Sequence, residues 1–462
     1  MTHKNKNSGI NKKLPVLMAA VFCAVIISTV IFMFTLSVSE VETVTPVKVI
    51  STQPEVTEPP VPYVVNTVTI GSAGDVLLHL PLVKTAKTSD GSYNFESMFK
   101  YVKPSVEASD YFIANLETTL AGTENGRKYT GFPFFNSPDG IVTSLQNVGV
   151  DCFLTANNHT YDTKGHGVKR TLSVIKNAGM DSVGTRENET DKRYLVKDIG
   201  GIKFGIGCYT YETVAEKGVS LNGNPVDSET AKLINSFSYK KLDSFYKKVE
   251  ADLTAMKSEG AEVTVIYLHW GNEYQLEADE NQKKIAKKLC DLGVDAIIGA
   301  HPHVVQPVDL ITSTDGTHKT VCAYSLGNMI SNQRKHLMGL KTGHTEDGLF
   351  FKMTFEKYSD GTVVFDSVKS IATWVKLVSN EYTLIPLSSG LEKKADEIGL
   401  TTSNLISQAQ ASYKRTMKLV KSGTKECNEY LASLPRPDDI PEETTAAASP
   451  EAVSDDITDI AA

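Results

Sequence analysis

Short apolar runs of strand length alternate with amphipathic runs of helical period along most of this chain. The strand-like runs are 64–70, 111–114, 152–154, 203–209, 263–268, 296–298 and 321–326, and the helical candidates include 168–178, 239–258 and 281–292. This alternation is typical of a sheet covered by helices and disfavours a helical bundle or a β-sandwich. Runs 349–355 and 362–368 flank the turn Ser359-Asp360-Gly361, which predicts a late antiparallel hairpin. The sequence therefore predicts an α/β core.

The N-terminal region differs in composition from this core. Residues 14–38 carry no charge, are long enough to cross a bilayer, and follow lysines at positions 4, 6, 12 and 13. Because flanking lysines stay in the cytoplasm, we expect a cytoplasmic basic segment (1–13), a single-pass transmembrane anchor (14–38), a Pro/Thr/Val-rich linker (39–63) and an extracytoplasmic domain at the cell membrane. A cleaved signal peptide is the alternative, although its shorter apolar core and small-residue cleavage site are not evident.

The remainder divides into a folded part and a tail. We expect one domain over 64–390, a helical region over 391–434, and a disordered tail over 435–462. The tail contains eight acidic residues and one basic residue, Arg436. A net charge of −8 gives no electrostatic footprint for nucleic acid, so we expect no such partner. The six cysteines form no CxxC pair, which indicates core side chains and not a thiolate metal site or a disulfide framework.

Polar and metal-capable side chains follow almost every strand-like run. They are Asp75 and His79, Asn115 and Glu117, Asn158, His159 and Asp162, His269 and Glu273, His301 and His303, and Asn328. The carboxyl ends of strands in an open α/β sheet form the edge where ligands bind. Half of the chain's ten histidines occur at these positions, a distribution that scattered surface histidines would not show. We therefore expect one polar cleft.

The densest part of this pattern is Gly299-Ala300-His301-Pro302-His303. If the backbone stays extended, a His-x-His pair points both rings the same way. The pair can then hold one metal, or two adjacent metals with one ring each. From the His-x-His pattern alone, the alternative interpretation is that both histidines are exposed loop residues that bind no metal.

Carboxylates and imidazoles without thiolates suit hydrolysis assisted by two divalent metals. Such ions lie roughly 3.5–4 Å apart, share a bridging carboxylate, lower the pKa of bound water and neutralise an anionic substrate. Mn, Fe or Zn fit mixed oxygen and nitrogen ligands, and spacing does not choose among them.

Six motifs carry a family resemblance: GDVLLH, NLETTL, TANNHTYDTKGHG, LHWGNEY, GAHPHVVQPV and YSLGN. In this order, over residues 67–331, they resemble the CapA proteins of poly-γ-glutamate capsule synthesis, a branch of the calcineurin-like metallophosphatase superfamily. The resemblance implies a four-layer α/β sandwich, with a dinuclear metal site at one sheet edge and an N-terminal transmembrane helix.

The resemblance also implies metal ligands. Asp75 and His303 resemble ligands of the first metal, and Glu117 occupies the position of the bridging carboxylate, where the wider superfamily has Asp. Three residues resemble ligands of the second metal: Asn158, His269 and His301.

Other matching residues have supporting roles in the family. His159 resembles the histidine that protonates the leaving group as a general acid, and Asp162 is placed to orient it. Three further residues are candidates to hold the ligands in place or to contact substrate: Asn115, Glu273 and Asn328.

One departure concerns the first metal, because metallophosphatases usually begin Asp-x-His. Here Leu77 occupies the histidine position, and the nearest histidine is His79. Four residues of extended strand span roughly 13 Å, too far to share an ion with Asp75. His79 could be a ligand only if the chain turned helical straight after Asp75; otherwise we expect it to contact substrate or support a ligand.

The resemblance and the predicted anchor imply three possible functions. The favoured one is a membrane-anchored, metal-dependent hydrolase or transfer factor acting on poly-γ-glutamate or a related anionic envelope polymer, with membrane-bound capsule synthase subunits as partners. The second is an extracytoplasmic phosphoesterase of nucleotides or phosphorylated glycans. The third is a non-catalytic scaffold that retains the fold and holds a capsule synthase or its product.

Overall fold

The structure is a computed structural model that describes residues 61–439. The predicted basic segment 1–13 and anchor 14–38 lie outside the described residues, as do most of the predicted linker 39–63 and of the tail 435–462. Among the described helices, none combines the length and apolar character that a membrane span requires.

Strands account for much of the described region. In chain order they are β1 (Val64–Val76), β2 (Tyr111–Leu116), β3 (Cys152–Leu154), β4 (Asp181–Val183), β5 (Tyr194–Ile199), β6 (Ile202–Tyr211), β7 (Ser220–Leu221), β8 (Asn224–Pro225), β9 (Ser236–Phe237), β10 (Val263–His269), β11 (Ala296–Ala300), β12 (Val308–Thr312), β13 (Lys319–Ala323), β14 (Asn328–Ile330), β15 (Asp347–Tyr358), β16 (Val363–Val378) and β17 (Glu381–Pro386).

The helices lie mainly between the parallel strands. They are α1 (Leu80–Thr85), α2 (Glu96–Phe99), α3 (Lys103–Glu107), α4 (Gly140–Val148), α5 (Lys164–Asn177), α6 (Ser228–Ala231), α7 (Leu242–Ser258), α8 (Glu280–Asp291) and α9 (Ser403–Leu431). Short 3₁₀ turns cover Glu124–Gly126, Tyr239–Lys241, His344–Glu346, Leu391–Lys394 and Asp396–Ile398. A capping box between Asp279 and Gln282 satisfies the first backbone N–H groups of α8.

The first sheet has the strand order β17-β16-β15-β1-β2-β3-β4, and β14 pairs with the last residues of β1. Strands β1 to β4 pair in parallel. On the other side of β1, the successive pairs β1–β15, β15–β16 and β16–β17 are all antiparallel. The predicted hairpin at Ser359-Asp360-Gly361 is confirmed, because β15 and β16 pair antiparallel across it.

The second sheet has the order β12-β13-β11-β10-β6-β5, with β9 beside the end of β6. Strands β6, β10, β11 and β13 are parallel. Antiparallel strands β5 and β12 close the two edges.

The two sheets pack face to face, and helices cover their outer faces. In β10, Val265 and Tyr267 belong to the cluster between the sheets, whereas Ile266 and Leu268 pack under α7 and α8. On the outer face of the first sheet, another cluster joins β1 and β2 to α1–α5. This alternation follows from the two-residue period of a strand that is buried on both faces. The predicted α/β class is confirmed.

The region predicted as helical over 391–434 contains α9, and this helix packs on the sheets. Val420, Cys427 and Leu431 enter the cluster between the sheets. Asp347 at the start of β15 accepts hydrogen bonds from Ser412 and Arg415 of α9. The domain boundaries at 390 and 434 remain predictions.

Candidate metal centre

The carboxyl ends of the parallel strands of both sheets meet at one edge, which brings the predicted residues together. They occupy β1 (Asp75), β2 and its end (Asn115, Glu117), the loop after β3 (Asn158, His159, Asp162), β10 and its end (His269, Glu273), the loop after β11 (His301, His303) and β14 (Asn328). All of these are buried except Glu273, which is exposed. His79 is half-buried beyond the end of β1.

A bulge in β1 directs Asp75 into this cluster. Ala73 pairs with Ala114 of β2, but the next pair is Asp75 with Asn115, so Gly74 is the extra residue. One extra residue shifts the two-residue alternation and turns the following side chain to the opposite face. Gly74 is required because a Cβ there would lie 1.9 Å from the Gly327 carbonyl oxygen.

Amide side chains on the neighbouring strands position the carboxylate of Asp75 and the ring of His303. Asn115 Nδ2 donates to Asp75 Oδ1 at 2.8 Å, and His303 Nδ1 donates to Asp75 Oδ2 at 3.0 Å. Asn328 Oδ1 lies 3.1 Å from the same His303 nitrogen. Asn115 and Asn328 therefore have the supporting contacts expected of them.

Glu117 lies at the centre of the site with an unsatisfied oxygen. Its buried Oε1 has no hydrogen-bond partner among residues 61–439 and lies 3.5 Å from His269 Nε2 and 3.7 Å from His303 Nε2. The buried His301 Nδ1 also has no partner in the described part of the chain. Because an unsatisfied buried polar atom is costly, these two atoms are suited to bind a cation.

Three groups of residues bring potential ligand atoms within 4.8 Å of one another. They are Asp75, Glu117 and His303; Glu117, His269 and His301; and Glu273, His301 and His303. The first two groups share Glu117, as a bridging carboxylate would. Asn158 Oδ1 lies 2.9 Å from His269 Nε2, beside the second group. The donors are oxygen and imidazole nitrogen, so they fit divalent metals of the Mn, Fe or Zn type.

Burial sets the charge state of this cluster. It lowers the pKa of His269 to about 3 and that of His301 well below its ordinary value, so both rings are neutral. Burial and then the charge of Asp75 raise the pKa of Glu117 far above its ordinary value. Burial would also raise the pKa of Asp75, but the hydrogen bond and charge of His303 lower it overall. Neutral imidazoles beside crowded carboxylates are the form that binds metals.

The backbone at the two histidines is not extended. His301 has φ of 96° and His303 has φ of 55°, values that residues other than glycine rarely adopt. The ring centroids lie 5.9 Å apart and the planes are inclined by 55°. The extended backbone that would point both rings the same way is therefore not present. Each ring belongs to a different group around Glu117, and the group that contains Glu273 includes both rings.

His159 forms a pair with Asp162 at the rim of the cluster. His159 Nδ1 lies 2.7 Å from Asp162 Oδ2, which also accepts a hydrogen bond from the backbone N–H of Phe135 at 2.6 Å. The carboxylate thereby fixes the ring orientation and keeps the proton on Nδ1, leaving Nε2 as the other ring nitrogen. The ring of Phe135 packs edge-on against His159, with centroids 4.7 Å apart.

His79 is not part of any of the three groups. The chain remains extended at His79 (φ −60°, ψ 151°) and enters α1 only at Leu80. Its Nδ1 accepts a hydrogen bond from Asn332 N, its ring packs edge-on against Phe135, and burial lowers its pKa to about 4. The helical turn that ligation would require is absent directly after Asp75.

Three residues of the site had no role assigned from the sequence. Asn157 Nδ2 donates to Asn115 Oδ1 at 3.3 Å and to a backbone carbonyl of β2. The ring centroids of Tyr211 and His301 lie 4.7 Å apart. The backbone N–H of Tyr274 donates to the carbonyl of Pro302. Asn157 and Tyr274 lie inside recognised motifs. Tyr211 was missed because the predicted strand ended at residue 209, whereas β6 continues to Tyr211 itself.

Comparison with known proteins adds independent information. Residues 69–333 match the family model described as bacterial capsule synthesis protein PGA_cap. The chain is 27% identical over 274 residues to the capsule biosynthesis protein CapA of Bacillus anthracis, which covers 57% of this chain and 60% of that protein. It is 26% identical over 245 residues to the PGA biosynthesis protein CapA of Bacillus subtilis, with 52% and 57% covered. The chain thus spans less than two thirds of the length of these relatives.

A solved structure with partial similarity is a putative 5′-nucleotidase from Staphylococcus aureus in complex with α-ketoglutarate. The TM-score is 0.40 at 14% identity, covering 76% of this chain and 58% of that chain.

Proposed function

The chain belongs to the PGA_cap family of bacterial capsule synthesis proteins, and on this premise we propose that it is a metal-dependent hydrolase or transfer factor of poly-γ-glutamate biosynthesis. The resemblance to CapA proteins predicted from the motifs is confirmed. The observation that carries the proposed chemistry is the buried, unpartnered Oε1 of Glu117 between two groups of possible ligands.

Two divalent ions are part of this proposal. Asp75, Glu117 and His303 would hold the first, and the second would share Glu117. The further ligands of the second would be Asn158, His269 and His301. When bound, the ions supply Lewis-acid activation of water and neutralise negative charge on the substrate. We assign the layered α/β arrangement to the metallophosphatase superfamily on the basis of the motifs.

Proton delivery is assigned to His159. Hydrolysis of an amide or ester requires a proton on the leaving nitrogen or oxygen, and a neutral leaving group departs more easily than an anion. Asp162 holds the His159 ring through Nδ1, so the doubly protonated imidazolium would give its Nε2 proton to the leaving group and return to the neutral ring.

The substrate in this proposal is an anionic glutamyl polymer at the outer side of the cell membrane. Relatives named for capsule and PGA biosynthesis support the polymer. The uncharged run 14–38 after four lysines supports a single-pass anchor with the N-terminus in the cytoplasm. Membrane-bound synthase subunits are the proposed partners.

The test uses the full-length chain in detergent with poly-γ-glutamate as substrate. Bound metal is counted, and cleavage is followed by new amino ends with and without Mn²⁺. We expect metal-dependent turnover, lost on chelation, and a decrease of about 10²–10⁴-fold in His159→Ala at unchanged metal content. Absence of both bound metal and turnover would refute the proposal.

Two further measurements separate the alternatives. Turnover of a generic aryl phosphate ester without cleavage of the polymer would identify a phosphoesterase. A full capsule in cells carrying His159→Ala together with His301→Ala would identify a non-catalytic scaffold.

A further inference from the structure

A cleft lies between a surface loop, the end of β16 and helix α9. Its volume is about 860 Å³. The loop contributes Lys335 and Lys341, β16 contributes Trp374 and Leu377, and α9 contributes Arg415. None of these residues is part of the metal centre.

Cations dominate the lining of this cleft. The lining includes Arg334, Lys335, Lys341 and Arg415 but a single carboxylate, Glu346. Lys335 and Lys341 are exposed, and within residues 61–439 neither has a carboxylate partner. The whole chain carries a net charge of −8, so this cationic surface is a local feature and not a consequence of overall composition.

The two arginines are held rigidly. Arg334 Nη2 pairs with Glu346 at 2.8 Å, and its buried Nε has no partner among the described residues. Arg415 donates from Nε and Nη2 to the buried carboxylate of Asp347, at 2.8 and 2.7 Å. Because both guanidinium groups already have carboxylate partners, the positive charges left for a ligand within residues 61–439 are those of Lys335 and Lys341.

The cleft also has an apolar wall. Trp374 and Leu377 of β16 and Leu340 of the loop line it between the cations. A ligand that fits both features carries negative charges separated by short apolar spacers. A polycarboxylate chain has this pattern, whereas a chain of phosphates alone has no apolar part.

The loop that bears the lysines is anchored to the metal centre at both ends. Asn328 Nδ2 donates to Gln333 Oε1 and to Thr345 O, both at 2.9 Å, while Asn328 Oδ1 contacts His303. Thr345 Oγ1 closes the loop by donating to Gln333 O at 2.6 Å. A single side-chain amide therefore connects the cleft wall to a proposed metal ligand.

We propose that this cleft binds a segment of an anionic polycarboxylate chain and holds it next to the metal centre. The identity of the polymer rests on the proposed function, but binding in the cleft requires neither metal nor turnover.

The experiment measures fluorescence anisotropy of a short labelled poly-γ-glutamate with the full-length chain in detergent. We expect Lys335→Ala with Lys341→Ala to weaken binding about tenfold at low ionic strength, and less at physiological salt, because exposed ion pairs are screened. Charge reversal at both lysines should weaken it further. The matched control is Lys283→Ala with Lys284→Ala on the exposed face of α8, which should bind as the unchanged chain does.

Three outcomes would overturn the proposal: no binding by the unchanged chain, equal binding by the cleft double variant, or tighter binding of a labelled polyphosphate. Metal content is counted on the same samples, and binding is repeated after chelation. If the unchanged chain binds the polymer but takes up no metal and shows no turnover, the cleft assignment stands while the proposed hydrolase fails. Bound metal and turnover with no effect of the lysines would do the reverse.

Discussion

Glu117 Oε1 is the atom on which the proposed metal site depends most. It lies within 4 Å of nitrogens on both His269 and His303, and no described residue gives it a hydrogen bond that would compensate its burial. A second carboxylate, Asp75, raises the pKa of Glu117 further through its charge. A cation between these groups removes both the repulsion and the unsatisfied acceptor.

The assignment of His303 to the first metal gives a prediction. His303→Ala should lose the first ion at free metal concentrations that still saturate the second, because no Asp-x-His histidine supports Asp75. Bound-metal stoichiometry during a Mn²⁺ titration measures this.

The matched variant is His269→Ala, which should lose the second ion first. Parallel loss of both ions in His303→Ala would contradict the division of ligands between the two metals.

Asp162 acts through His159, so it is a positioning residue. Asp162→Asn should lower kcat by at least about tenfold while KM and bound metal stay unchanged, because the ring loses the partner that fixes its tautomer. Steady-state cleavage of poly-γ-glutamate, measured as a pH profile, tests this.

Asp162 also accepts a hydrogen bond from the backbone N–H of Phe135, so the substitution could unfold the protein as well as misorient the His159 ring. The two effects must be measured separately. Unchanged thermal unfolding together with unchanged kcat would refute the positioning role.

At the residue level, polar residues at the carboxyl ends of the predicted strands identify the cluster, because residue type alone shows which side chains can bind a metal. This pattern did not give the ring directions of His301 and His303, which depend on positive φ values that only the packed loop reveals. It also could not exclude His79, since the chain path after Asp75 was unknown.

The bulge in β1 is the element that the sequence did not predict. A glycine before Asp75 is consistent with many backbones, and only the pairing with β2 identifies Gly74 as the extra residue. The extent of β13 was also misjudged: the apolar run 321–326 predicted a strand to residue 326, but β13 ends at Ala323. There the chain leaves the second sheet to reach β14 in the first.

Gly74→Ala tests the bulge. The added Cβ would meet the Gly327 carbonyl oxygen at 1.9 Å, so β1 and β14 must separate. We expect a loss of about 1–3 kcal/mol in the free energy of unfolding, and weaker metal binding because Asp75 and Asn328 move apart. Urea denaturation and Mn²⁺ titration measure the two effects.

The control is Gly390→Ala, where no atom lies within 4 Å of the added Cβ and φ is −117°. It should change stability by less than about 0.5 kcal/mol. Equal effects of the two substitutions would show that the bulge has no special role.

For the whole molecule, the alternation of strands and helices predicted the α/β class because buried parallel strands have a distinctive apolar pattern. The pairing of two sheets, and thus the meeting of β1–β3 with β10 and β11, required the resemblance or the structure. Long-range contacts such as Asp75 with His303 are not encoded in any local pattern.

Metal removal should destabilise the whole fold. A ligand that binds only the folded state at about a hundred times its Kd adds about 2.7 kcal/mol to the free energy of unfolding. We expect chelation to lower the unfolding midpoint of the unchanged chain, measured by thermal denaturation with Mn²⁺ or EDTA.

In Glu117→Gln, the unfolding midpoints measured with Mn²⁺ and with EDTA should differ less than in the unchanged chain, because the substitution removes the carboxylate that both metals share. An unfolding midpoint that is the same with Mn²⁺ and EDTA in the unchanged chain would argue against the centre.

Asn328 touches both ends of the cationic loop and the ring of His303. Thermodynamic linkage makes any coupling through such a contact reciprocal. If a polymer segment in the cleft tightens Mn²⁺ binding by some factor, Mn²⁺ must tighten polymer binding by the same factor. The protein would then bind its metals most tightly while a polymer segment occupies the cleft, and more weakly when the cleft is empty.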